Sequence, residues 1–278
     1  MTDSGSTLTG FEGKVAVVTG AGRMRSIGRE IAVRLAEAGC DLVLTGSGRS
    51  PENYPEDERA AGWRDIESVA EEVRGLGRRA MTIVSDIANR DSMAELADAV
   101  DSEYGRLDIL VNNASTAKGE DRKSVLDVDS DVWAKVIEVN LVGTFYCTKA
   151  LLPLMIRGKK GGSIINISSI AGRQMQPEVS AYQASKAGVH ALTGSLAAEV
   201  GEHQIRVNAI APGIIDTSRM DDLGRDESWN KFIQTRVPLG RAGTGKDVAW
   251  LAAFLASDQA DWITGQIYTI DGGTIRVH

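Results

Sequence analysis

Lys14-Val-Ala-Val-Val-Thr-Gly-Ala-Gly-Arg-Met-Arg-Ser-Ile-Gly28 is the stretch from which the rest of the chain can be read. An apolar, β-branched run at 14–19 breaks into a glycine-rich turn and then into an amphipathic segment at 26–38. A short buried strand that leads at once into a helix is the first half of a βαβ unit, whose strands lie parallel. Glycines at such a turn let the backbone approach a pyrophosphate, and the helix start offers free N–H groups and positive dipole. Gly20, Gly22, Arg23, Ser26, Ile27 and Gly28 therefore read as a phosphate cradle, with a plain structural turn as the alternative.

The same alternation continues outward. Strands are expected at 14–19, 41–45, 80–85, 109–111, 163–167, 206–210 and 267–270. Helices are expected between them at 26–38, 65–76, 93–104, 130–156, 180–200 and 246–256. Short apolar strands separated by helices imply a parallel sheet covered on both faces. Right-handed crossovers then give an α/β doubly wound, Rossmann-type sheet of seven strands. No linker or repeat divides the chain, so a single catalytic and dinucleotide-binding domain is expected over 11–278, behind a flexible tail at 1–10. Two segments, 46–62 and 216–238, look like additions to the scaffold, since βα connections usually need only two to six residues.

Composition narrows the class. The 278 residues are 42% hydrophobic and 25% charged, with 30 glycines, which suits a turn-rich globular protein. A formal charge of −7 argues against a nucleic-acid or anionic-membrane surface. No uninterrupted apolar run approaches a membrane span, and the N-terminus has neither a basic start nor an apolar core of a signal. Cys40 and Cys147 lack metal-like spacing and read as reduced core thiols of a cytoplasmic protein. No metal site is expected.

Chemistry enters at Ser180-Ala-Tyr-Gln-Ala-Ser-Lys-Ala-Gly188. Tyr182 and Lys186 stand four residues apart in a helical segment, so their side chains share one face. A free phenol, with a pKa of about 10, is a poor base near neutrality. An ammonium one turn away favours the phenolate and draws that pKa toward working pH. A solvated helix face is the bland alternative.

Beyond these residues, motifs in a fixed order resemble the short-chain dehydrogenase/reductase family, in its compact single-domain branch with 3-oxoacyl reductase-like members. They are Thr19-Gly20…Gly28, Asp86-Ile87, Asn112-Asn113-Ala114, Asn140, Ser169, Tyr182…Lys186, Pro212-Gly213, Thr264-Gly265-Gln266 and Asp271-Gly272-Gly273. The likeness runs from Phe11 to about Gly273. It implies an NAD(P)-dependent enzyme that interconverts secondary alcohols and ketones. Tyr182 would be the general acid/base, Ser169 would hold the substrate oxygen, and Lys186 would lower the Tyr182 pKa and bond the nicotinamide ribose. Asn140 would place a water on the proton path. Asp86 and Ile87 would flank the adenine, and Asn113, with Ala114, the nicotinamide ribose. Ile215 and Thr217, beyond Pro212 and Gly213, would meet the carboxamide.

The glycine-rich loop departs from that pattern: its first-to-last step is eight residues, from Gly20 to Gly28, and Ser26 holds the middle-glycine place. The longer Ser26-Ile27 form resembles the enoyl-thioester reductase branch, a rival reading. That branch spaces its Tyr and Lys more widely and needs no serine at the place of Ser169, so carbonyl chemistry is preferred. A non-catalytic dinucleotide sensor is the alternative from another class. At the end of the second strand, Gly46, Ser47, Gly48 and Arg49 stand where an acid would select NAD. With Arg23 and Arg25 in the loop, this favours NADP, with NAD as the alternative. The acidic 216–238 segment hardly suggests a polyanionic substrate, and a small or medium polar ketone or alcohol is expected. Long apolar helix faces at 130–156 and 180–200 suggest partner helices, and the family likeness implies a homotetramer.

Overall fold

Val15 and Val17 face one side of the central sheet and Ala16 and Val18 the other, and all four are buried. That two-sided burial is what a strand of unbroken apolar residues produces in a parallel sheet. The protein is described over residues 8–276 by a computed structural model. In chain order, its first half runs β1 (Val15–Val18), α1 (Ile27–Ala38), β2 (Asp41–Gly46), α2 (Glu56–Ala60), α3 (Ile66–Gly75), β3 (Ala80–Val84), α4 (Arg90–Tyr104) and β4 (Ile109–Asn112). The second half runs α5 (Ser130–Ile137), α6 (Gly143–Gly158), β5 (Gly162–Ile167), α7 (Ser180–Val200), β6 (Ile205–Pro212), α8 (Glu227–Arg236), α9 (Gly245–Ala256) and β7 (Ile267–Ile270).

The sheet has seven strands in the order β3-β2-β1-β4-β5-β6-β7, and each neighbouring pair is parallel. This is the doubly wound fold expected from the sequence. One face is covered by α1, α3 and α9, the other by α4, α6 and α7. Strand order reverses between β1 and β4, so the connections that follow the two strands leave in opposite directions and open a crevice beyond their C-terminal ends.

Several boundaries differ from expectation for local reasons. The fourth helix starts at Arg90 rather than 93, because Asn89 caps it by accepting from the N–H groups of Asp91 (2.9 Å) and Ser92 (3.1 Å). The helix expected at 130–156 is interrupted by a π-helical turn, Glu138–Val142, centred on Asn140. Both additions carry structure of their own. The first holds a 3-10 turn, Pro51–Asn53, and α2; the second holds a 3-10 turn, Ser218–Leu223, and α8. The second addition buries Trp229, Ile233 and Val237 in a small satellite core.

The tail expected at 1–10 lies outside the described residues over 1–7, and the remainder is docked. Thr9 N–H donates to Gln259 Oε1 at 3.0 Å, and the Thr9 carbonyl accepts from Asp258 N–H at 3.1 Å. The continuous run Ser130–Gly158 is, among the described residues, the one helix long and apolar enough to cross a membrane. The sequence suggested no such span. Its α6 part instead buries Cys147, Leu151, Leu154 and Met155 in the core beneath α4.

Candidate active site

At the head of α1, the Ser26 hydroxyl accepts from Arg29 N–H at 3.2 Å and donates to the Arg23 carbonyl at 2.8 Å. The residue in the middle-glycine place is thus the helix N-cap, which holds the enlarged loop closed while the first N–H groups of α1 stay open. A Cβ on Gly20 (φ 66°) would come within 2.7 Å of Ala114 Cα, so the loop can lie against the end of β4 only as glycine. Gly28 packs behind it, where a Cβ would meet Asn113 Nδ2 at 2.5 Å. The Asn113 amide is itself committed, donating to the carbonyls of Thr19 (2.8 Å) and Gly20 (2.9 Å). It braces the glycine loop from the wall of the cleft.

The two departures from the family pattern fit each other. Glu58 of α2 accepts from Met24 N–H at 2.9 Å, and the Trp63 indole N–H donates to the Gly22 carbonyl at 2.6 Å. Arg25 is paired with Asp57 (2.8 Å) on one side and with Asp221 (2.6 Å) on the other. The segment after β2 therefore clasps the long glycine loop and, through Arg25, reaches the turn at 218–223.

Arg49, expected to be free for a 2′-phosphate, is taken. It pairs with Glu58 at 2.9 Å and Asp65 at 3.4 Å, and both carboxylates are buried. Asp65 lies so close to Gly22 that a Cβ there would sit 1.4 Å from its Oδ1. Its backbone (φ 53°, ψ −132°) is in a region that non-glycine residues seldom occupy. Asp65 and Glu58 escaped the sequence reading, because nothing local tells that the head of α3 folds back onto the glycine loop. Arg23 faces the cleft and has no ion-pair partner among the described residues.

At the other end, Lys186 Nζ is 5.7 Å from the centre of the Tyr182 ring and donates to the Ile167 carbonyl at 2.9 Å. Burial pushes the Tyr182 phenol up, but Lys186, Arg219, a hydrogen bond with Ser169 and Arg122 together outweigh it and hold the pKa below its ordinary value. Burial pushes the Lys186 ammonium down, against the Tyr182 phenolate and with Arg219. Ser169 N-caps the short turn Ile170–Gly172 by accepting from Ala171 N–H at 3.1 Å. Ser168 turns its hydroxyl inward to the Lys186 carbonyl at 3.2 Å, which leaves Ser169 as the hydroxyl beside Tyr182.

Asn140 stands behind these groups. Its Oδ1 accepts from Ser115 Oγ (3.0 Å) and Thr116 N–H (2.9 Å), and its amide donates to Ser185 Oγ at 3.1 Å. Three hydrogen bonds from one buried amide tie the β4 exit to the helix that carries Tyr182. Arg122 and Arg219 complete this end, their guanidinium carbons 4.6 and 5.1 Å from the Tyr182 ring centre. Neither stood out in the sequence, since one arginine among acids carries no periodic signal.

One cleft of about 1410 Å³ joins both ends along the β1/β4 switch point. Every residue expected in the site lines it except Gly28 and Asn140, which pack behind its wall. Ser47, Asp86, Ile87, Pro212, Gly213 and Ile215 are thereby brought to one channel, and Thr217 with them. Its length, the open head of α1 and the cationic Arg23 fit a dinucleotide.

Known proteins share this arrangement. A family model described as "Enoyl-(Acyl carrier protein) reductase" matches residues 20–274. The 3-oxoacyl-[acyl-carrier-protein] reductase of Thermotoga maritima is 37% identical over 265 residues, which span 95% of this chain and 99% of that protein. The 2-dehydro-3-deoxy-D-gluconate 5-dehydrogenase of Escherichia coli is 36% identical over 263 residues, 95% and 96% of the two chains. Among solved structures, carveol dehydrogenase from Mycobacterium avium in complex with NAD superposes with a TM-score of 0.85 at 31% identity, over 96% and 99% of the chains.

Proposed function

We propose, from the premise that the chain belongs to the short-chain dehydrogenase/reductase family and is an NAD(P)-dependent oxidoreductase, that it interconverts a secondary alcohol and a ketone. The observation that carries this reading is the phenol of Tyr182 flanked by Ser169 and Lys186, with its pKa drawn down. Bound in the cleft, the nicotinamide would supply or accept the hydride. Tyr182 gives its proton to the substrate oxygen in reduction and takes it back in oxidation. Ser169 donates a hydrogen bond to the same oxygen as charge develops there. Lys186, fixed by the Ile167 carbonyl, favours the phenolate. Asn140 acts one layer behind, by holding Ser115, Thr116 and Ser185 in place.

For the cofactor, the buried carboxylates of Glu58 and Asp65 support NAD. They neutralise Arg49, and an additional 2′-phosphate would face two anions at short range. The unpaired Arg23 is the observation that favours NADP as the second form. The longer glycine loop favours an enoyl-thioester reduction as a second reaction, but the four-residue Tyr182–Lys186 step and Ser169 support the carbonyl reaction. One continuous sheet that carries both ends of the cleft supports a single domain over 11–278. The open edge of β7 and the exposed Phe145 of α6 support assembly into a homotetramer, which light scattering would test.

The deciding experiment follows nicotinamide absorbance with NAD(H) and NADP(H) against ketones, secondary alcohols and enoyl thioesters. Turnover of ketones and alcohols that is lost in Tyr182→Phe is expected. Turnover of enoyl thioesters alone would overturn the proposal.

A further inference from the structure

The 216–238 segment is rich in acids, yet it presents a cation to the reaction centre. Asp216 and Asp221 are turned toward Arg225 and Arg25, and Asp226 caps α8. Asp222 is paired with Lys118. Arg219, on the same turn, points inward to the Tyr182 ring at 5.1 Å. Its Nη1 donates to the Thr116 carbonyl, while its Nη2 is buried with no partner. Among the described residues, no carboxylate lies within ion-pair distance of Arg219.

Arg122 approaches the same ring at 4.6 Å, with Asp121 3.3 Å from its Nε. Burial depresses the Arg122 guanidinium and Arg219 adds to this, against Asp121, and Arg219 also works with burial to depress the Lys186 ammonium. Three cations thus converge on one phenol, with one carboxylate, Asp121, set beside them. A half-buried guanidinium with an unpaired N–H in such a place costs free energy unless an anion meets it. The Thr116 hydroxyl, also buried and without a partner, adds a donor on the cleft wall.

We propose that the substrate is an oxo acid or hydroxy acid, whose carboxylate sits on Arg219 a few bonds from the carbon that reacts at Tyr182. Arg122 adds positive potential to the same pocket. A single carboxylate matches the one guanidinium beside the Tyr182 ring that, among the described residues, lacks a counter-ion, and the Arg fork suits its planar geometry. The proposal rests on the alcohol–ketone reading above. It narrows the small or medium polar ketone or alcohol expected from the sequence to an acid, because Asp216, Asp221 and Asp222 of the loop are paired elsewhere.

The test compares matched substrates on the full-length enzyme: acetoacetate and levulinate against their methyl esters, with kcat/KM measured for wild type, Arg219→Lys and Arg219→Gln. Wild type is expected to prefer the acids by at least about 30-fold, the penalty of leaving a buried charge unpaired. In Arg219→Gln the acid-to-ester ratio should collapse toward unity, chiefly through KM, and Arg219→Lys should keep part of it. Cofactor titration by fluorescence is run on each variant. Equal use of acid and ester by wild type, or an unchanged ratio in Arg219→Gln, overturns the proposal. So does a loss of cofactor affinity in Arg219→Gln with the ratio preserved, since the arginine then serves the dinucleotide. If no ketone of either kind is turned over, the alcohol–ketone reading itself falls.

Discussion

Glu58 accepts a hydrogen bond from the backbone N–H of Met24 at 2.9 Å, joining the segment inserted after β2 to the lengthened glycine loop. Its other oxygen holds Arg49, also at 2.9 Å, and Glu58 itself is 1% exposed. Loop and insertion form one unit, so damage to either should reach the cofactor.

Glu58→Gln should therefore be costly. The amide would turn an N–H toward Arg49 or toward Met24 N–H, and the partly buried Arg49 guanidinium would lose the nearer of its two counter-ions. A loss of about 3 kcal/mol is expected, with a lower melting temperature and a weaker dinucleotide affinity. A variant that melts and binds like wild type would rule out the clasp.

Asp65→Asn should change cofactor choice more than stability. Asparagine keeps the shape and tolerates the positive φ at this position. It removes the charge that, in the NAD reading proposed above, would oppose a 2′-phosphate beside Gly22. The ratio of kcat/KM for NADP over NAD is expected to rise about tenfold. A ratio that stays put would show that Asp65 does not face the ribose.

The pH profile should carry the signature of Tyr182. Oxidation requires the phenolate, so its rate should climb with pH and level off at a midpoint below the ordinary phenol value of about 10. Reduction requires the phenol and should fall over the same interval. Lys186→Met or Arg219→Gln removes a cation that lowers this pKa, so either change should move the midpoint upward. Tyr182→Phe should cut kcat by about 10³-fold while dinucleotide binding persists. Midpoints that do not move in Lys186→Met would assign the titration to another group.

The two thiols should be silent in the native state. Burial pushes both Cys40 and Cys147 up to about 12, and neither has a disulfide partner. Thiolate reagents at neutral pH are expected to label them only as fast as the fold opens, and both at once after denaturation. Fast labelling of native protein would contradict their burial.

Much of this molecule was legible in advance. The seven strands were found to within a residue or two, because a buried parallel strand announces itself as a short apolar run bounded by glycine or a helix cap. Tyr182 and Lys186 were placed together by the helical period alone, and their pairing survives at 5.7 Å. What local pattern does not show lies in the first insertion and inside the long helical run at 130–158. Segment 46–62 contains a short helix whose weak local pattern gave no warning, and the π-turn at Asn140 is invisible in a pattern of period 3.6.

Local periodicity therefore determined the scaffold and the Tyr182–Lys186 pair, since both depend on neighbours a few residues apart. The role of each arginine was decided by tertiary structure. Arg25 meets Asp221 across 196 residues of chain, Arg49 is neutralised by Glu58 and Asp65, and Arg219 is left unpaired beside Tyr182. A charge acts through whatever neutralises it in space, and no sequence spacing records which charges the fold will bring together or keep apart.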